Sequence, residues 1–596
     1  MAHLSELSSA LQTALDRNVV FNWPYAEIML DPDGDAIDLS DYLLDEPLVI
    51  SKSKNINPDE SFGKISISEL TVRFINRDNY FSPYNIDGPF YHATSRLYAD
   101  YSAGTTTIDV PKDFSVKVGL IITVSRGAHS DSAVIQSIDE SDSYYNRLTL
   151  NSVLSASYSY PGGSLIETKY RVGQFMRIRT KFNGLSDTIN QYQGIIASLP
   201  KIKGAIAEIT LQDSLKGLLN NQLKANTTKR MITTVSTVLQ GSMQIERADS
   251  TSPSTGNISE DSIQVNSAYC TIGSWEIEFT SATEFTVTDP NNVQYSGQTT
   301  ANFYAGDSSI YQIKILSSAW SGTWDDGDRI TFNTYCTICK ANFGENGDKI
   351  PHIIEQIITQ DFGGALTSSD YDTAAIAQLK SDYYEYRGGI SFDRSLSVLK
   401  AIEILLRHLP NTSVYFLNDG RISFKSHKPT PAPSAPNTLS PDADIIEVEL
   451  SERQKYQRIV GYWDWDYQNN QFNKKYSYPA EEGEPHIEVK LPAFTANESI
   501  YAQSIIRKIF DMWERGVRVY AIREKWNYGV GWELSDIIQI SSDFPELSDT
   551  IVEIFELKKS ANKPQAIEAL AFDVSFQFAR YLFINEGRLN DGRVVW

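Results

Sequence analysis

The chain writes one β-rich unit twice, far apart, and this duplication limits the fold more than any other feature. The first copy runs Val172-Gly173-Gln174-Phe175-Met176-Arg177-Ile178-Arg179, then Gln193 to Ser198, then Ala205 to Asp213. The second runs Glu533 to Ile540, then Ile551-Val552 passing into Glu556-Leu557-Lys558, then Ala566 to Asp573. Each copy is a turn and strand, a second strand, and a third alternating strand ending in Asp. Self-similarity of this kind points to duplicated modules. The match is loose, and chance alignment of amphipathic strands is the competing explanation.

A chain of 596 residues predicts several domains, on the order of four. Its 41% hydrophobic and 21% charged residues are ordinary for globular cores. The 32 Tyr and 26 Phe favour strands. A net charge of −22 argues against a surface that grips phosphates. It allows a passage through which nucleic acid slides, and it also simply keeps a protein soluble. The first residues lack the basic start and apolar run of a secretory signal. No window approaches the ~18 apolar residues of a membrane span. Cys270, Cys336 and Cys339 are too few for a disulfide scaffold, so synthesis in a reducing cytoplasm is expected.

Leu4, Leu7, Leu11 and Leu15 predict a short amphipathic helix. Strands follow from Phe21, with a tight turn at Asp31-Pro32-Asp33-Gly34-Asp35. Residues 95–169 and 260–345 read as two inserted small β modules, and 226–259 as helix and linker. Residues 346–428 read as a helix-containing middle domain, with amphipathic helices at Ile350–Thr359 and Ser395–His408 and a hairpin around Asn418-Asp419-Gly420. The proline-rich 429–441 segment reads as a stiff linker. Residues 442–596 return to strands, interrupted by a helix over Ser499–Trp513.

Candidate chemistry is sparse. The Asp31-to-Asp35 run resembles the start of a calcium loop, yet Ala36 and Tyr42 stand where Gly and a bidentate Glu are needed. A hairpin turn is the better reading. Cys336 and Cys339 form a lone CxxC, better read as buried thiols; Cys270 and His352 completing a four-ligand metal set is the alternative. The seven histidines form no HExxH pair. Phosphate loops, nucleophile elbows and dinucleotide fingerprints are absent from the sequence. The pairs Glu481/Glu482 and Asp325/Asp326 sit in turn-like contexts among 75 carboxylates and do not argue for glycosidase chemistry. Trp275, Trp320 and Trp324 are better read as filling the core of their own module; stacking on sugars is the alternative. No cofactor and no enzymatic activity are expected.

In order along the chain stand "NRDNYFSPYNIDGPF", "VGQFMRIRTKF", "YQGIIASLP" and "AEITLQDSLKGLL". After them come "IPHIIEQIIT…DFGG", "GGISFDRSLSVLKAIEILLRHLPNTSVYFLNDGRISF" and "WELSDIIQIS". This succession resembles the bacteriophage tail baseplate hub and tail-tip hub family over about two thirds of the chain. The resemblance implies a mainly β, multidomain fold with minor α. Two hub-type β-barrels would span 1–94 with 170–225, and 442–596. It implies a homotrimer whose six quasi-equivalent barrels form a ring at the virion tail tip. The ring would adapt a six-fold tail tube or distal tail protein to three-fold central fibre and tip proteins. The tape-measure protein and viral DNA would cross its bore. Tail-tip relatives carry a cysteine-ligated iron–sulfur cluster; three cysteines depart from that four-cysteine site, so the cluster is not carried over. A carbohydrate-binding tail-tip adhesin, and behind it a glycan-degrading tail enzyme, are the alternative readings.

Overall fold

The computed structural model describes residues 24–574 except 32–36, 55–67, 127–128, 159–163, 169–173, 183–187, 214, 233–238, 250, 252, 340–348, 411, 427–436, 440–444, 453–455, 481–485, 514–517, 526–528, 541–549 and 564. The expected Leu4–Leu15 helix, the Asp33-Gly34-Asp35 turn, most of the proline-rich linker and the Glu481/Glu482 pair lie outside the described residues.

The fold is mainly β with minor α, and multidomain. Two large sheets carry the duplication. In the first, Pro24–Asp31, Phe175–Phe182, Thr188–Ile196, Ile206–Asp213 and Glu69–Ile75 are antiparallel neighbours in that order. In the second the order is Asn437–Leu439, Ile537–Ile540, Thr550–Ser560, Ile567–Asp573, Arg518–Glu524 and Ile445–Glu452.

The two sheets share more than strand order; they share register. Met176 stands opposite Gly194, and Gly194 opposite Asp213. Ile538 stands opposite Val552, and Val552 opposite Asp573. A fourth strand joins each set in the same frame, Val72 opposite Ile209 and Ile522 opposite Ala569. A one-residue slip would turn each strand's apolar set to solvent, and no slip separates the copies. Met176, Ile178, Ile196 and Ile209 are buried in one; Ile538, Ile540, Ile554 and Ala569 are buried in the other. Chance alignment does not reproduce four strands in one cross-strand frame.

Between the fourth strand and the first repeat strand, the second copy needs only the residues from Glu524 to Ile537. The first copy holds those from Ile75 to Phe175, and with them a separate six-stranded sheet. Its order is Thr94–Arg96, Leu165–Thr168, Ile121–Arg126, His129–Asp139, Tyr145–Leu150 and Thr107–Pro111. Leu97, Ile108, Phe114, Val124, Leu148 and Ile166 form its own apolar cluster.

The tryptophan-rich region is built differently. Its five-stranded sheet, with Arg329–Thr334 and Gly273–Phe279 adjacent, shares one continuous core with the helices Ile350–Thr359, Val398–Leu406 and Ser499–Trp513. Ile350, Ile353, Ile354, Ile357 and Ile358 make the buried stripe of the first helix. Ser397 caps the second by accepting from Lys400 N. The stretch expected to be one barrel from 442 is interrupted, because Arg458–Asp466, Gln471–Tyr478 and His486–Leu491 form a separate sheet that packs on Ser499–Trp513.

Candidate functional site at the seam of the two sheets

The strand Val49–Ser53 precedes the fourth strand of the first sheet in the chain, yet it pairs with Thr550–Ser560 of the second, Val49 opposite Ser560 and Ser53 opposite Glu556. Its alternation buries Ile50 and Lys52, and Lys54 follows in step. Lysine on the inward side of an apolar alternation is costly unless its ammonium is hydrogen-bonded. Here each is bonded. Lys52 Nζ donates to Leu417 O at 3.1 Å and to Asn418 Oδ1 at 2.9 Å. Lys54 Nζ donates to Ser535 Oγ at 2.7 Å and pairs with Glu553, both side chains nearly sealed from solvent. Lys559, from the partner strand, donates to Val530 O at 3.0 Å and Trp532 O at 2.7 Å.

Further bonds join the two sheets directly. Thr180 Oγ1 donates to Ala561 O at 2.6 Å and Gln191 Nε2 to Val530 O at 3.2 Å. The pairing of Val49–Ser53 is extended by Leu48 N donating to Asn562 Oδ1 at 2.8 Å and Ala561 N to Leu48 O at 2.9 Å. Four distant stretches of chain thus meet at three buried amines. At the first turn of the second repeat Ser535 adopts φ 73°, a left-handed conformation suited to glycine.

Electrostatics at the seam follow from burial. Desolvation pushes Lys559 down to about 7, with Glu533 pulling the other way. It lowers Lys52 and Lys54 as well, against the attraction of Asp213 and Glu553 respectively. Desolvation raises Asp213 to about 6, against the pull of Lys52. The signs oppose the usual pattern. Above about 7 the folded chain releases a Lys559 proton that the unfolded chain keeps until near 10.5, so stability rises with pH across that window. Asp213 holds its proton up to about 6 when folded, so its contribution falls as pH rises from the ordinary 3.8 to 6. The contributions of these two groups are together lowest between about pH 6 and 7. The unfolding free energy of the second sheet from urea titrations should therefore rise between pH 7 and 9 by an amount on the order of 2 kcal/mol. Lys559→Met should flatten that rise; an equal rise in the variant removes the assignment.

Beside the seam lies a groove of ≈ 900 Å³ whose lining includes Tyr25, Glu27, Asp38, Asp41, Asp45, Lys181 and Lys563. Lys563 pairs with Asp45 at 2.7 Å, and Lys181 with Glu27. Among the described lining residues Ser40 Oγ donates to Asp38 Oδ1 at 2.5 Å, with no histidine beside them.

The residues singled out from sequence lie elsewhere. Cys270 and Cys336 are buried in the large shared core, whereas Cys339 sits in a separate cluster with Met231 and Tyr467. Burial pushes the Cys270 thiol up to about 12 and Cys336 higher still. His352 is half-buried on the Ile350–Thr359 helix. Among the described residues, no three His, Cys, Asp or Glu side chains are grouped to hold a metal ion.

Two of the three tryptophans lie in the core of their region. Trp275 is fully buried and its indole donates to Thr334 Oγ1 at 3.1 Å. Trp324 is buried between Phe279, stacked at 4.3 Å, and the Arg247 guanidinium at 5.0 Å. Neither offers a free ring face to a sugar. Trp320 is half-buried, edge-on to Phe279 at 5.7 Å. Asp325 and Asp326 are exposed in the turn that ends at Asp328, whose buried carboxylate accepts from Ala248 N and Asp325 N. His408 is buried and neutral, held down to about 4 by desolvation; Nε2 accepts from Ala493 N at 2.9 Å, leaving Nδ1–H for Ile404 O. The seam lysines escaped the sequence reading, although Ile50-x-Lys52-x-Lys54 on one strand parity was the available signal.

No family model matches the chain, and no curated protein matches it by sequence. Solved structures do. A tail protein from Neisseria meningitidis is 9% identical over 81% of this chain and 96% of its own, with a TM-score of 0.32. The 43 kDa tail protein of prophage MuSo2 from Shewanella oneidensis is 9% identical over 92% and 98%, at 0.33. Prophage tail protein gp18 from Listeria monocytogenes is 12% identical over 54% and 94%, at 0.24. All three are tail proteins. At these TM-scores the likeness carries no argument about what this chain does. In the described residues no helix is long and apolar enough to cross a membrane.

Proposed function

We propose that the chain is a structural hub of a bacteriophage tail, located at the virion tail tip and without catalysis. One observation carries this reading: two sheets in one register, fastened into a single body by a strand exchanged across the seam. A subunit that presents two like modules can offer six positions from three copies, which is what a joint between six-fold and three-fold partners needs. The sealed lysine seam supports a mechanical role, because its amines meet carbonyls and carboxylates of the protein rather than a cleft. The ordered succession of hub-like motifs supports it independently. In this role the ring joins a tail tube or distal tail protein to central fibre or tip proteins. The tape-measure protein and DNA cross its bore without specific binding, as an acidic chain favours.

The test is native mass with electron-microscope class averages of the purified full chain. Three copies in a ring with a central hole is the expected result. A monodisperse monomer at both low and high concentration overturns it.

A further inference from the structure

We propose that Lys52 and Asn418 join covalently, through an isopeptide bond that locks the seam. The inference needs no second copy of the chain and stands whether or not three copies form a ring.

The seam amines are not held alike. Lys54 pairs with the Glu553 carboxylate. Among the described residues, the acceptors of Lys52 Nζ are all uncharged: Phe416 O at 3.5 Å, Leu417 O at 3.1 Å and Asn418 Oδ1 at 2.9 Å. The Tyr192 ring centre lies 5.5 Å from the same nitrogen. Lys52 and Asn418 are both buried. An amine sealed among uncharged oxygens sheds its proton more easily, because burial penalises the charged form. Desolvation lowers Lys52 accordingly, against the pull of Asp213, Glu533 and Asp419. The neutral amine is the form that attacks a carbonyl carbon.

The electrophile is in place. Asn418 stands in the turn between the paired strands Thr412–Phe416 and Ile422–Ser426. A nitrogen 2.9 Å from Oδ1, approaching at an angle of about 120°, lies roughly 3.7 Å from Cγ. Near-attack geometry is about 3–3.5 Å, so a few tenths of an ångström separate this contact from it.

Glu533 is the proton carrier. Its buried carboxylate accepts from Asn418 N at 2.9 Å, which fixes it beside the electrophile, and it attracts the Lys52 charge. Lys52 Nζ adds to Asn418 Cγ. Glu533 takes one Nζ proton and returns it to Nδ2; the Cγ–Nδ2 bond breaks and ammonia leaves. One amide bond replaces another, so no oxidant, cofactor or nucleotide is consumed. The sealed surroundings keep out competing water, and escape of ammonia makes the step one-way. The link ties Val49–Ser53 to a hairpin 366 residues further along the chain and closes the seam against being pulled open.

The experiment is mass spectrometry of the full-length chain, folded, held at mildly alkaline pH and then denatured. Wild type should weigh about 17 Da less than its sequence, the mass of the lost ammonia. A protease digest should contain a branched peptide joining Lys52 to Asn418. Lys52→Arg and Asn418→Ala, shown to be folded by circular dichroism, should keep the full sequence mass. Glu533→Gln should form the link at least about tenfold more slowly. The branched peptide is read on wild type, so a variant that fails to fold does not blunt the test. Folded wild type that keeps its full sequence mass overturns the proposal. So does ammonia loss without the branched peptide, as from a succinimide at another asparagine. A link that forms at the wild-type rate in Glu533→Gln overturns Glu533 as the proton carrier.

Discussion

Lys54→Ala should cost the second sheet about 3–5 kcal/mol, because it strands a buried carboxylate. Glu553 is 2% exposed and Lys54 also 2%, so neither charge has water to fall back on. The lost donor also leaves Ser535 Oγ without the amine at 2.7 Å that anchors the repeat's first turn. Urea unfolding followed by Trp532 fluorescence, which reports on the same seam, measures the effect. The double variant Lys54→Met/Glu553→Leu should recover most of the loss, since removing both charges also removes their desolvation. A single variant as stable as wild type would mean that the pair is open to solvent and the seam is not sealed.

Trp275→Ala should cost about 3–5 kcal/mol in the shared core, the range for truncating a fully buried aromatic side chain. The indole is 0% exposed and lies parallel to Phe332 with centroids 6.2 Å apart. Its N–H bonds Thr334 Oγ1, which in turn donates to Thr271 O at 2.7 Å, so the cavity opens beside a polar chain that ties two strands. Because this core continues into Ile350–Thr359 and Val398–Leu406, the loss should lower the transition of the helical region with that of the tryptophan-rich sheet. Two separate transitions, only one of them shifted, would show the two regions to be energetically independent. Trp275→Phe, which keeps the ring packing and drops only the hydrogen bond, should cost much less.

The helices and the repeats were legible for one reason: periodicity is a local property. Ile350–Thr359 and Ser499–Trp513 carry strong apolar stripes and were placed where they stand. Thr373–Asp382 was missed, because it buries little beyond Ile376 and Leu379 and depends on Asp372 capping Ala374 N and Ala375 N. The alternating strands of each repeat, ending in Asp213 and Asp573, announced their inward faces by period two. Their pairing partners were not announced. Val49–Ser53 reads as an ordinary strand of the first unit, and only the folded chain sends it to Thr550–Ser560.

Long-range choices of this kind are set by which surfaces must be covered, and a sequence does not write them locally. Tryptophans at 275, 320 and 324 look the same on the page whether they line a groove or fill a core; packing against Phe279, Phe285 and Phe332 decides for the core. The lysines at 52, 54 and 559 look like solvent-facing charges until the seam closes over them. The sequence by itself determined a mainly β chain that writes one alternating strand set twice, because side-chain alternation is imposed residue by residue; the shared register came from the pairing. Only the tertiary structure decided that the two copies are stitched into one body by an exchanged strand and buried amines. Desolvation and hydrogen bonding between distant segments exist only once those segments meet.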